Sequence, residues 1–196
     1  MIIVGITGGI GSGKTTVAKI FQEKYGIPVY IADDEAKRLM NDSKIIKQEL
    51  IALFGEKAYK EGQLNKAYLS QEIFNDKSKL KKMNAIVHPR VAQHFKNWVD
   101  KQQAPYVLKE AAILFESGSY KQCDYVITVT APLSMRVERV LKRDNTTKEK
   151  VQSIVENQWS DEKKIKLSNF VIVNKAFEKT REQVHETHSK ILNLIG

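Results

Sequence analysis

Short apolar runs alternate along this chain with stretches whose apolar residues recur every three or four positions. Ile2-Ile3-Val4, Ile27–Ile31, Tyr106-Val107-Leu108, Asp124–Thr130 and Phe170–Asn174 are rich in β-branched residues and read as strands, most of them buried. Thr15–Tyr25 carries Val17, Ile20 and Phe21 at helical spacing and is followed by Gly26, a residue that commonly closes a helix. Ala36 and Met40 mark a helix after the second strand, and Val184, His188, Ile191 and Leu192 mark one face of a closing helix from Phe177 to Leu194. Strands that alternate with helices predict an α/β fold in three layers, a five-stranded parallel sheet with helices on both faces.

Residues 43–103 break that rhythm. Ile45, Ile46, Leu50, Leu53 and Phe54 are helically spaced up to Gly55, and further helices are predicted over Leu64–Phe74, Lys77–Val87 and Val91–Val99, with no convincing buried strand. At roughly 60 residues this helical insertion exceeds an ordinary crossover. His88-Pro89-Arg90 reads as a stop between two helices, with Pro89 at a first helical position and His88 as a cap; the alternative is a substrate contact, with Arg90 near a phosphate. The predicted organisation is a core of residues 1–42, 104–135 and 168–196, a helical subdomain over 43–103, and a helix–turn–helix over 136–160.

The chemistry starts at Gly8-Gly9-Ile10-Gly11-Ser12-Gly13-Lys14-Thr15, which fits G-x-x-x-x-G-K-[ST] and stands between a strand and a helix, the context that motif requires. Glycines let the backbone turn through positive φ and approach a phosphate closely. Consecutive amides then form an anion nest, and the helix that starts near Lys14 adds its positive end. Lys14 supplies a full charge for the β- and γ-phosphates, and Thr15, followed by Thr16, supplies a hydroxyl for Mg²⁺. ATP or GTP with Mg²⁺ is the implied ligand.

Other candidates lie at strand ends, the edge of a parallel sheet where ligands bind. Asp33 follows the second strand and is either a helix cap or a carboxylate facing the phosphates, as base or through water on the metal. Glu110 is placed like a Walker-B acid that would hold water around Mg²⁺. Asn174 and Lys175 end the fifth strand and suit an adenine contact. Arg136, Arg139 and Arg143 lie on a helix that begins after Pro132; Thr146 with Glu149 resembles a capping box for a helix from Lys148 to Trp159. A basic helix, a polar turn and a second helix suit a lid that brings arginine to a transferring phosphoryl group.

Composition narrows the class little. The 196 residues are 42% hydrophobic and 28% charged, ordinary for a soluble globular protein, and no apolar run reaches the 18 residues of a membrane span. The opening strand lacks the basic start and cleavage site of a signal peptide, and one cysteine, Cys123, provides no disulfide framework; both favour the cytoplasm. The net charge of +9 is spread along the chain without an RNA-binding signature, so a phosphate-rich small molecule, not nucleic acid or membrane, is the expected partner. Oligomeric state stays open, a monomer being the simplest expectation.

The ordered motifs resemble the dephospho-coenzyme A kinase family over essentially the full length. Ile6–Ala18 is similar to that family's opening signature, Ala32-Asp33 to the end of its Asp-Ala-Asp motif, Val87-His88-Pro89 to its His-Pro motif, and Ile113-Leu114-Phe115-Glu116 to its Pro-Leu-Leu-Phe-Glu stretch. Arg139, Arg143-Asp144 and Gln158 resemble its lid, and Val171–Asn174 its closing strand. The departures are Ile31 for the first Asp, Ala112 for Pro, Glu110 for Asp, and Lys175 where an Asn-Gly turn is usual. The resemblance implies a phosphate-loop (P-loop) kinase fold and transfer of the ATP γ-phosphoryl to the ribose 3′-hydroxyl of dephospho-coenzyme A, the last step of coenzyme A synthesis. It implies Asp33 as base, Lys14 and Arg139 as charge-neutralising groups, and His88, Pro89, Arg90 and Ile113–Glu116 as acceptor contacts. Rival readings are another small-molecule kinase, a nucleic-acid-binding ATPase, or a GTP switch; the last would need Asn-Lys-x-Asp, and Asn174-Lys175-Ala176-Phe177 lacks the Asp.

Overall fold

A computed structural model describes the backbone of residues 1–196 and all side chains except those of residues 74, 75 and 77. The chain divides into two compact units, Met1–Ile31 with Gln102–Gly196, and Ala32–Lys101.

The first unit is built on β1 (Ile2–Thr7), α1 (Lys14–Tyr25) and β2 (Val29–Ile31). The chain leaves for the second unit after β2. That unit contains α2 (Ala32–Asp42), α3 (Lys44–Phe54), β3 (Tyr59–Lys60), β4 (Gln63–Leu64), α4 (Lys66–Asn75) and α5 (Lys77–Val99). On return the chain forms β5 (Tyr106–Glu110), β6 (Tyr125–Thr130), α6 (Leu133–Arg143), α7 (Lys148–Asn157), α8 (Asp161–Lys166), β7 (Phe170–Val173) and α9 (Phe177–Ile195).

The sheet of the first unit runs β2-β5-β1-β6-β7, with every pair parallel. Alternate residues of the central strands face one apolar layer. Val4, Ile6, Tyr106, Leu108, Ile127, Val129 and Ile172 pack with Val17 and Phe21 of α1 and with Val184 and Ile191 of α9. A parallel sheet needs cover on its second face too. There Gly5 leaves room for Leu114 and Cys123, whose atoms stand 2.6 and 3.0 Å from where a Cβ would lie, and α8 packs against β6. Pairing of Ile6 with both Glu110 and Ile127 brings the carboxyl ends of β1, β5 and β6 to one edge. Gly26 closes α1 in the left-handed conformation, as its position predicts.

The second unit has its own core of Met40, Ile46, Leu50, Phe54, Leu69 and Val87. Helix α2, expected to belong with the nucleotide core, contributes Met40 to this cluster, so the boundary falls at Ile31 rather than at residue 42. The Tyr59 hydroxyl donates to the Met40 carbonyl at 2.6 Å, and burial pushes its pKa up to about 12. The short β3–β4 hairpin has no counterpart in the sequence reading; at two residues per strand it carries no periodicity to detect.

Three local expectations change. His88-Pro89-Arg90 is no helix stop: α5 is continuous, with Pro89 inside it. An interior proline costs about 3 kcal/mol. Burial of Val87, Phe95 and Val99 on the same helix offsets that, and Arg90 folds back so that Nη1 donates to the Ile86 carbonyl at 2.7 Å. Thr147, not Thr146, caps α7, its hydroxyl accepting from Lys150 N. Helix α7 ends at Asn157, and α8 follows, capped by Ser160. A polar run of six residues with one apolar member hides such a helix from periodicity.

His188 of α9 packs between Tyr25, whose ring it stacks on at 4.0 Å, and Tyr106, whose hydroxyl shares a hydrogen bond with Nδ1 at 2.7 Å. Burial, and then the neighbouring His185, hold its pKa below the ordinary 6.5. The unfolded chain therefore binds a proton that the folded chain refuses, so this contribution to stability is complete above pH 6.5 and is lost as pH falls below it. Urea midpoints at pH 7.5 and 5.5 are expected to fall less for His188→Phe than for the wild type. Equal falls would show that His188 does not carry the dependence.

Candidate active site

The phosphate-binding motif forms the turn between β1 and α1. Gly8, Gly11 and Gly13 all have positive φ, at 151°, 76° and 89°. Gly13 is required twice over, by this conformation and because a Cβ would sit 2.0 Å from Asn174 Nδ2. Helix α1 begins at Lys14, so its first-turn N–H groups point to where the loop closes. Lys14 is buried.

Side chains from four other segments hold the loop. Asn174, buried just past β7, donates from Nδ2 to the Ser12 carbonyl at 2.9 Å and accepts at Oδ1 from the Thr180 hydroxyl at 3.0 Å. Gln158, between α7 and α8, accepts from Ile10 N at 2.9 Å. Arg136 of α6 donates from Nε to the Ile10 carbonyl at 2.9 Å and from Nη1 to Asp161 at 2.9 Å. Glu110, buried at the end of β5, accepts at Oε2 from the Thr15 hydroxyl at 3.1 Å. The structure thus joins Thr15 and Glu110, which the sequence paired only by analogy of position.

Arg139 donates from Nη2 to the Asn174 carbonyl at 3.0 Å, and its Nη1 lies 4.0 Å from the place a Gly13 Cβ would occupy. Beside the loop, Arg139 Nη1 and Ser12 Oγ are buried without a hydrogen-bond partner among the described residues. Orphan donors beside a glycine-rich nest suit an anionic ligand that completes them. Arg143 instead forks onto neighbouring Asp144 at 2.9 and 2.8 Å, and that bond raises its pKa further. Thr16 and Lys175 are exposed.

The stretch Ile113–Glu116 divides. Ile113 is exposed, whereas Leu114 is fully buried and Phe115 stacks on Trp159 with ring planes 5° apart. Glu116 accepts at Oε1 from Trp159 N and from Lys164 Nζ, each at 2.9 Å. Lys164, completely buried, also donates to the Ala112 carbonyl at 3.0 Å. Lys164, Asp161 and Thr130, the last bonded to Asp161, were not singled out from the sequence. Lys163-Lys164 reads there as solvated charge, and no spacing rule shows that one lysine turns inward. A cavity of about 490 Å³ opens beside this network, between the start of α6 (Leu133), α8 (Ile165) and the end of β7 (Val173).

Asp33 and His88-Pro89-Arg90 belong to the second unit. Asp33 is the exposed second residue of α2, two positions past the end of β2. His88 and Pro89 are exposed, and Arg90 Nη2 donates to Glu49 at 2.7 Å.

A family model described as dephospho-CoA kinase matches residues 2–179. The chain belongs to the dephospho-CoA kinase family. It is 41% identical over 174 residues to a dephospho-CoA kinase of Bacteroides fragilis, which covers 88% of this chain and 84% of that one. The crystal structure of TT1252 from Thermus thermophilus superposes with a TM-score of 0.87 at 33% identity, covering 100% of this chain and 98% of that one. A dephospho-CoA kinase from Campylobacter jejuni shares the fold, with a TM-score of 0.68 at 22% identity and 96% of each chain covered. This member of the dephospho-CoA kinase family is therefore an enzyme, a phosphotransferase with the three-layer P-loop kinase fold.

In this kinase Glu116 and Lys164 form a buried ion pair. Removing one partner of a buried pair leaves an uncompensated charge, at a cost of about 3–5 kcal/mol. Lys164→Met is expected to lower the unfolding free energy by about that much, and Glu116→Gln in the same chain to restore most of it. Additive losses in chemical denaturation would contradict the pairing.

Proposed function

We propose that this kinase moves the γ-phosphoryl group of ATP to the ribose 3′-hydroxyl of dephospho-coenzyme A, releasing coenzyme A and ADP. The observation that carries the reading is the phosphate loop, braced from outside by Asn174, Gln158 and Arg136, with Arg139 Nη1 left unpartnered at its side. Family membership supplies the acceptor.

Phosphoryl transfer asks for positioning and charge stabilisation rather than a covalent intermediate. The loop amides and Lys14 bind the phosphates, and Arg139, with Arg143 from the segment 136–160, neutralises charge as that lid closes. Asp33 orients the acceptor hydroxyl and takes its proton late, since a hydroxyl holds its proton well above neutral pH. His88, Arg90 and Ile113 contact the acceptor. The Thr15 hydroxyl and Glu110 carboxylate, 3.1 Å apart, are hard oxygen donors that fit Mg²⁺, Thr15 directly and Glu110 through water. Mg²⁺ there would neutralise charge on the transferring phosphates. The enzyme acts in the cytoplasm, where a single thiol such as Cys123 stays reduced.

Incubation with ATP, Mg²⁺ and dephospho-coenzyme A, read by mass spectrometry, is expected to add one phosphoryl group at the 3′-position, with AMP, shikimate and gluconate unchanged. An unmodified acceptor would sink the assignment. Lys14→Ala is expected to cut turnover by about a hundredfold or more. Asp33→Asn should lower kcat by about 10²–10⁴-fold while the KM for ATP stays close to wild type. An unchanged kcat would remove Asp33 from the chemistry.

A further inference from the structure

Ile10, at the apex of the phosphate loop, has both backbone polar groups held by side chains distant in sequence. Its N–H goes to Gln158 and its carbonyl to Arg136, each at 2.9 Å. Arg136 is 7% exposed although it carries a full charge. Its guanidinium also donates to Asp161 at 2.9 Å, and the other Asp161 oxygen takes the Thr130 hydroxyl at the end of β6. Gly9 lies against the same group. It is not among the glycines with positive φ, so its backbone suits other residues; yet a Cβ there would stand 1.9 Å from Arg136 Nη2 and 2.5 Å from Cζ. At Gly9 the requirement for glycine comes from the arginine behind the loop.

We propose that Arg136, held by Asp161 and Thr130, is a positioning residue that locks the loop apex in its phosphate-receiving form, and that Gly9 is glycine to admit it. With the Ile10 N–H and C=O both bonded outward, the peptide groups on either side of Ile10 are held against rotation, so the amides after it stay aimed into the nest without reorganising when phosphate arrives. Burying a guanidinium is costly, and a charged partner plus a backbone carbonyl make it tenable. Arg136 is thereby distinguished from Arg139 and Arg143 on the same helix: its charge is spent behind the loop, not on the transferring group. The inference rests on the reading of residues 8–15 as a phosphate loop.

Nucleotide titrations of the full chain test it. Arg136→Met is expected to weaken ADP by about tenfold to hundredfold, the span of a charge-assisted hydrogen bond, while adenosine, which has no phosphate, binds as before. The KM for ATP should rise and that for the acceptor stay unchanged. Asp161→Asn, which keeps the side-chain shape, should reproduce a smaller part of the loss, so the test survives if Arg136→Met folds poorly. Gly9→Ala should weaken ADP in the wild type and add nothing in the Arg136→Met background. Equal losses for ADP and adenosine, or an undiminished Gly9→Ala effect without the guanidinium, would overturn the proposal. A wild-type chain that binds ADP no tighter than adenosine would instead overturn the phosphate-loop reading, and this inference with it.

Discussion

A phosphate-binding loop must turn its amides inward, and that leaves its outward carbonyls and remaining N–H groups in a buried place without water. Each such group left unpaired costs about 1–3 kcal/mol. The rest of the first unit is arranged to supply the missing partners. Asn174 from the end of β7 takes the Ser12 carbonyl, Arg136 from α6 takes the Ile10 carbonyl, and Gln158 takes the Ile10 N–H. The sheet order places β6 and β7 on one side of β1, so the turns that follow them converge on the loop. On the other side β5 brings Glu110 to Thr15. The fold surrounds a polar turn with donors and acceptors that arrive from chain positions more than 90 residues away.

A second constraint is the cover on the back of the sheet. Strands β1, β5 and β6 place Gly5 and Lys109 on that face, an unusual pair for a core. Burial holds the Lys109 pKa below its ordinary value, and Nζ donates to Gln122 Oε1 at 2.9 Å. Burial also pushes the neighbouring Cys123 thiol up to about 11, so it stays protonated and unreactive at neutral pH. Lys164 closes the same region by tying Ala112 and Glu116 to α8. The stretch Ile113–Glu116 is thus two things at once: Ile113 is open to solvent, while Leu114, Phe115 and Glu116 anchor the segment that leads back from α7.

The helical unit follows a plainer rule. Its core is apolar, from α2, α3, α4 and α5, and its surface carries exposed pairs such as Arg38 with Glu35 and Asp42, worth a few tenths of a kcal/mol each. The Arg90–Glu49 pair is partly shielded and ties α5 to α3 next to Pro89.

The sequence by itself determined the strands of the first unit and its helices α1, α6 and α9, because short β-branched runs and three-four spacing are local properties that burial enforces wherever the chain goes. It also determined the phosphate loop, since G-x-x-x-x-G-K-[ST] between a strand and a helix leaves few other solutions. Glu110 and Asn174 were legible for a related reason: in a parallel sheet, position at a strand end already implies an edge where ligands bind. Only the tertiary structure decided what occupies the other side of the loop. Whether Arg136 or Arg139 turns inward, whether Lys164 is surface or core, and whether Gly9 is needed for its own backbone or for a neighbour's guanidinium depend on which side chains meet across long separations. The continuity of α5 through Pro89 is of the same kind. Local propensity ends a helix there, and only packing of Val87, Phe95 and Val99 carries it on.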